Sequence, residues 1–161
     1  MNNKKFVDLY REAHAFLKLS KDALKNPTEY VEGYIPYITN ISFACELYLK
    51  LILLYNGYTI DDLVKISHSL YDLYTALTQL QKDTIYNYFR KPLVYKIDEE
   101  IKRMDTAFKD WRYLVMDKAN SKCKANRFSD NFALELVEIL DTISNEIVLE
   151  LNPMYKNHKL I

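Results

Sequence analysis

The stretch Tyr37–Gly57, YITNISFACELYLKLILLYNG, decides the fold. It is the most apolar part of the chain, and Thr39, Asn40, Ser42, Glu46 and Lys50 interrupt it. Five polar side chains, two of them charged, would be costly in hydrocarbon, so the stretch reads as a core helix and no membrane contact is expected. Asn56-Gly57 suits a left-handed cap and sets the end of this helix, which is expected over 37–56. A helix so apolar must be covered on most sides, so the rest of the chain has to supply helices that pack around it.

The flanking sequence supplies them. Phe6, Leu9, Tyr10, Ala13, Phe16, Leu17 and Leu24 recur at three- and four-residue steps and predict a first helix over 3–25, stopped by Asn26-Pro27. A short region with Gly33 and Pro36 then leads into the apolar helix. Thr59 caps a short piece through Ile66, and Ser69, with Asp72 three residues on, opens a helix whose stripe is Leu70, Leu73, Tyr74, Leu77 and Leu80. Residues 81–90 predict another short helix, closed off by Pro92. From Tyr95, the seam of Ile97, Ile101, Met104, Phe108, Trp111 and Val115 predicts a long helix ending near Asp117. Residues 118–127 lack periodicity and read as a basic loop. Ser129 and Asp130 then start a last helix with Phe132, Leu136, Leu140, Ile143, Ile147 and Leu151 on one face, and the tail 153–161 reads as frayed.

The expected architecture is all-α: an up-and-down bundle of four long helices plus two or three short ones, in a single domain over 1–161. Composition agrees. Two glycines permit few tight hairpins, while 14 tyrosines can pack their rings and keep their hydroxyls at a wet seam. Cys45 and Cys123 have no metal-ligand spacing around them and read as free thiols in a reducing compartment. Residues 1–5 lead directly into an amphipathic pattern rather than a secretory signal, so a cytoplasmic location is expected.

The net charge of zero hides an uneven distribution. Residues 90–127 carry 11 Lys+Arg against 6 Asp+Glu, whereas 128–151 carry 6 acidic residues and no basic one. Two meanings stay open: neighbouring solvated faces that attract each other, or a phosphate-binding surface on the basic segment.

With only Gly33 and Gly57, no glycine-rich phosphate loop can form, and both glycine-based nucleotide fingerprints are excluded. His14, His68 and His158 are too scattered for ligand spacing, so neither a metal nor a cofactor is expected. Glu46 and Lys50 stand four residues apart with the acid first, the favourable order for an intrahelical ion pair. Thr39, Ser42, Glu46 and Lys50 form a narrow polar stripe that either meets solvent in a groove or pairs with another helix. His68, the histidine in a central position, is read either as a turn and cap residue or as a functional imidazole. Arg112, one residue off the apolar seam, either pairs with an acid such as Asp105 or Glu135 or grips an anion.

These residues also carry a family resemblance. Phe43-Ala44-Cys45-Glu46-Leu47-Tyr48-Leu49-Lys50, then Gly57 and His68-Ser69-Leu70, resemble the alanine, glutamate, leucine-lysine helix and histidine-leucine helix start of the HEPN (higher eukaryotes and prokaryotes nucleotide-binding) family. Trp111-Arg112-Tyr113, the basic loop and Ser129-Asp130 resemble that family's arginine-tyrosine segment and last helix. The similarity places a HEPN-like core at about 38–151.

The resemblance implies a helical module that forms homodimers and works beside a partner protein encoded nearby, in a defence or toxin-antitoxin setting. Many members are metal-independent ribonucleases in which an arginine is followed after four to six residues by a histidine. Arg112 matches the arginine, but the corresponding positions hold Asp117, Lys118 and Ala119. The expected function is therefore a non-catalytic or atypical module that binds a protein partner or a nucleotide or RNA phosphate. Arg112, Lys118, Lys122, Lys124 and Arg127 would make the phosphate contacts, and Glu46, Lys50 and Asp117 would form the polar motif. One alternative is a metal-independent endoribonuclease with Arg112 and His68 as catalytic residues, and another is a purely structural interaction protein.

Overall fold

The computed structural model describes residues 3–23, 30–89, 96–113 and 129–154, and within these the side chains of all but 30–35 and 106–113. Seven helices make up the described chain: α1 Lys4–Ala23, α2 Tyr30–Tyr55, α3 Ile60–Ile66, α4 Leu70–Thr75, α5 Gln79–Tyr88, α6 Ile97–Tyr113 and α7 Asp130–Leu151. No strand occurs among the described residues, and four of the helices are long and three short. The expected tail from residue 155 on lies outside the described residues.

Helix α2 is the axis of the fold, packing against α1, α4, α6 and α7. Its residues Leu51, Ile52 and Leu53 are all buried, so that turn is covered on most sides. The 20-residue window Pro36–Tyr55 is long and apolar enough to cross a membrane, yet 67% of it is buried inside the protein. Around this axis the predicted stripes face inward: Phe6, Tyr10, Ala13 and Leu17 from α1, Ile97, Ile101 and Met104 from α6, and Phe132, Leu136, Leu140 and Ile147 from α7.

Two expectations need correction. Helix α2 begins at Tyr30 rather than Tyr37, so Pro36 lies inside it. Proline removes one helical hydrogen bond, and the long packed face of α2 on α1 outweighs that loss near the end of a 26-residue helix. Leu80, expected on the α4 stripe, is 77% exposed. Helix α4 stops at Thr75, and Thr78 starts α5 afresh through a capping box with Gln81, which turns Leu80 outward.

The end of α2 follows from Gly57. Tyr58 N donates to Leu53 O and Gly57 N to Leu54 O, the paired bonds of a Schellman cap, with Gly57 at φ +93°. No atom lies within 4 Å of where a Cβ would stand. A Gly57→Ala variant therefore meets no clash and is expected to lose about 1 kcal/mol, from backbone strain alone, in a urea unfolding midpoint.

Helix α6 anchors two other helices with buried carboxylates. Glu100, 1% exposed, accepts from Ser129 N at the start of α7 through Oε2 and from Arg103 through Oε1. Asp105 accepts from Leu70 N at 2.7 Å and from Ser69 Oγ at 3.3 Å, fixing the start of α4. A six-residue helix has little stability of its own, so this tertiary cap matters more than propensity. Asp105→Ala, which orphans the buried Leu70 N–H, is expected to cost about 2 kcal/mol. The loss should be visible as a lower thermal midpoint, with Asp105→Asn retaining part of it.

Candidate functional site

Glu46 and Lys50 lie one turn apart on α2, and Lys50 Nζ donates to Glu46 Oε1 at 2.6 Å. This is the intrahelical pair read from the sequence. The same oxygen lies 2.8 Å from His68 Nδ1, so one carboxylate oxygen serves two groups. A carboxylate oxygen accepts only, and Nδ1 therefore carries the hydrogen of this bond. Nε2 is the ring nitrogen that Glu46 does not engage. Side-chain exposure rises outward from 5% at Glu46 through 17% at Lys50 to 60% at His68. A buried anion thus holds an exposed imidazole. The second oxygen, Glu46 Oε2, is buried and has no hydrogen-bond partner.

The polar stripe of α2 is partly covered: Ser42 and Glu46 are buried, Thr39 and Lys50 are half-buried, and Glu46 bonds the turn between α3 and α4. Thr59 opens α3 with a reciprocal capping box to Asp62, and eight residues later Ser67 takes φ 66°, ψ −124°. That conformation is strained for any residue with a Cβ, and such strain persists only where surrounding contacts impose it. Here it immediately precedes His68. On the other side, Ser69 caps α4 by accepting from Asp72 N while donating to Asp105. His68 is therefore gripped by structure on both flanks. Capping falls to Ser69, and His68 reaches back 22 residues to Glu46.

Arg112 belongs to α6, seven residues beyond Asp105. Two helical turns bring its Cα to the side of α6 that carries Asp105, and Asp105 touches the residues next to His68. The Arg112 side chain lies outside the described residues, as do Asp117, Lys118, Lys122, Lys124 and Arg127. Glu46, Lys50 and His68 are thus brought together, and of the phosphate-binding set only the Arg112 backbone lies among the described residues.

A second polar cluster escaped the sequence reading. Asp141 Oδ1 on α7 accepts from Tyr48 OH at 2.6 Å and lies 3.0 Å from His14 Nδ1, joining α7 to α2 and α1. The Tyr10 and Tyr48 hydroxyls are both pushed well above the usual tyrosine range, first by burial and then by Asp141. His14 is thus as firmly placed as His68. Its hydrogen-bond partner Asp141 is 127 residues away in sequence, and no local motif could have announced it.

Among the described residues no group of three or more His, Cys, Asp or Glu could hold a metal ion. Cys45 is fully buried, and burial raises its thiol far above the range of a reactive cysteine. Fold and cluster together define the class: an all-helical protein whose central helix presents a buried glutamate to a lysine and an exposed histidine. No protein-family model matches the chain, and neither a curated protein nor a solved structure matches it.

Proposed function

We propose that the chain is a HEPN-like, non-catalytic helical module that pairs with a second copy of itself and holds an RNA phosphate between His68 and Arg112. The observation that carries this reading is the hydrogen bond from His68 Nδ1 to buried Glu46, which holds an exposed imidazole in place beside a lysine. Arg112, on the Asp105 side of α6, supplies the bidentate cation that suits a phosphate. The basic residues Lys118, Lys122, Lys124 and Arg127 extend the contact along the backbone.

Anisotropy of labelled single-stranded RNA across a salt series tests the reading, with light scattering for the dimer. Affinity is expected to fall with salt at a log–log slope of about −0.7 per phosphate neutralised. Arg112→Ala should make that slope shallower by about one contact, whatever the RNA sequence. Absence of binding at low salt sinks the proposal.

One feature favours a second reading, a metal-independent endoribonuclease. With Nδ1 tied to a carboxylate, His68 Nε2 is the nitrogen that would take the 2′-hydroxyl proton as that oxygen attacks the neighbouring phosphorus. Arg112 would balance the charge that develops on the phosphate, and the imidazolium would return its proton to the departing 5′ oxygen. Cleavage in the presence of EDTA that His68→Ala abolishes would establish this reading and displace the first.

A further inference from the structure

We propose that His68 Nε2 is a modification site, accepting a phosphoryl group from a donor of the phosphoramidate class, in which nitrogen carries that group. The inference is independent of RNA binding, since it needs only the ring, its anchor and the neighbouring lysine. The His68 side chain is 60% exposed although its Nδ1 lies 2.8 Å from the buried Oε1 of Glu46. With that edge of the ring turned inward, the opposite edge, which carries Nε2, is the part left to solvent. Both neighbours in the chain are fixed: Ser67 is held at φ 66°, and Ser69 Oγ donates to Asp105. A donor can therefore approach a stationary nitrogen in line, and positioning is most of what phosphoryl transfer asks of a protein.

In the step itself, the Nε2 electron pair forms the new P–N bond as the donor's own P–N bond breaks. With phosphoramidate the leaving group is ammonia, which departs with the bonding pair and the three hydrogens it already carries. The ring gains positive charge, Nδ1 keeps its hydrogen, and the Glu46 carboxylate on that hydrogen balances the charge. Lys50 Nζ, 2.6 Å from the same Oε1, brings an ammonium to the base of the ring, where it offsets the charge of the incoming phosphoryl oxygens. His14 is the internal comparison. Its Nδ1 also meets a carboxylate, Asp141, but its side chain is only 23% exposed and the Tyr10 ring lies 5.8 Å from its own. The Asp141 oxygen is shared with the Tyr48 hydroxyl instead of an ammonium.

Incubation of the full chain with potassium phosphoramidate at about pH 8, where an ordinary imidazole is neutral, tests the inference, with the label at each histidine followed by peptide mass spectrometry. Label that is lost in acid and survives alkali marks phosphohistidine. His68 should be labelled roughly tenfold faster in the folded chain than in the urea-unfolded chain, the gain expected from one charge-assisted hydrogen bond that strengthens during the step. His14 should instead be labelled more slowly when the chain is folded. Glu46→Gln keeps an acceptor oxygen for Nδ1 and removes the charge, so it should erase the acceleration at His68 while helical circular dichroism is unchanged. The inference is overturned if folding does not speed labelling of His68, if His14 is labelled faster than His68 in the folded chain, or if Glu46→Gln leaves the His68 rate as it was.

Discussion

Raising the pH above 10 is expected to unfold the chain over a narrow range. Burial pushes Tyr37 and Tyr74 up to about 12, and burial together with Asp141 raises Tyr10 and Tyr48 as well. In the unfolded chain all four ionise near 10. Their folded values lie higher because only the neutral phenol is tolerated among packed helices and beside carboxylates. The stability this confers is complete below pH 10 and is lost as pH rises from 10 toward the folded values, at about 1.4 kcal/mol per group per pH unit. By pH 11 four groups together remove about 5 kcal/mol, comparable with the whole stability of many domains. Loss of helical circular dichroism should coincide with the part of the tyrosinate absorbance that these four contribute, beside that of the other ten tyrosines. Phenolate absorbance from all four tyrosines while helicity persists to pH 12 would refute the expectation. Tyr48→Phe, which removes one of the four groups, should make the transition less steep.

The second large effect concerns Glu46. Glu46→Ala removes the anion from Lys50, whose side chain is 17% exposed, and the anchor from His68. Leaving a mostly buried ammonium without its counter-ion costs about 3 kcal/mol. Glu46→Gln keeps an acceptor oxygen and should lose about 1 kcal/mol. The double variant Glu46→Leu/Lys50→Met replaces the pair with apolar groups of similar size and should recover most of the loss. Urea midpoints of the three variants decide the matter. If the double variant were no more stable than Glu46→Ala, unpaired charge would not be the cause. The same Glu46→Ala change frees the imidazole to rotate. RNA affinity should therefore fall in Glu46→Ala by about as much as in His68→Ala, even where both variants are fully folded.

Much of the fold was legible because helix packing writes itself into local periodicity. The seams of α1, α6 and α7 name their own buried faces, and Thr59, Ser69 and Ser129 mark helix starts through hydrogen bonds spanning three residues. Pro36 misled because a rule about single residues ignores the packing of a whole helix face. Leu80 misled for the complementary reason: a seam extrapolated past Thr75 assumes an unbroken helix, and the Thr78 box restarts the phase. In the candidate site, the Glu46–Lys50 pair was legible because its spacing is a helical turn. Its link to His68 was not, since nothing local relates residues 22 apart.

The sequence by itself determined that the chain is helical, where most helices start and stop, and which apolar stripes of the long helices face inward, because these depend on interactions within a few residues. Tertiary structure alone decided that Glu46 meets His68, that Asp141 joins Tyr48 to His14, and that Asp105 caps α4. Each of these is a hydrogen bond between elements far apart in sequence, set by how the helix faces turn toward one another. That rotation is fixed only when the apolar stripes close around α2, and no short stretch of sequence contains it.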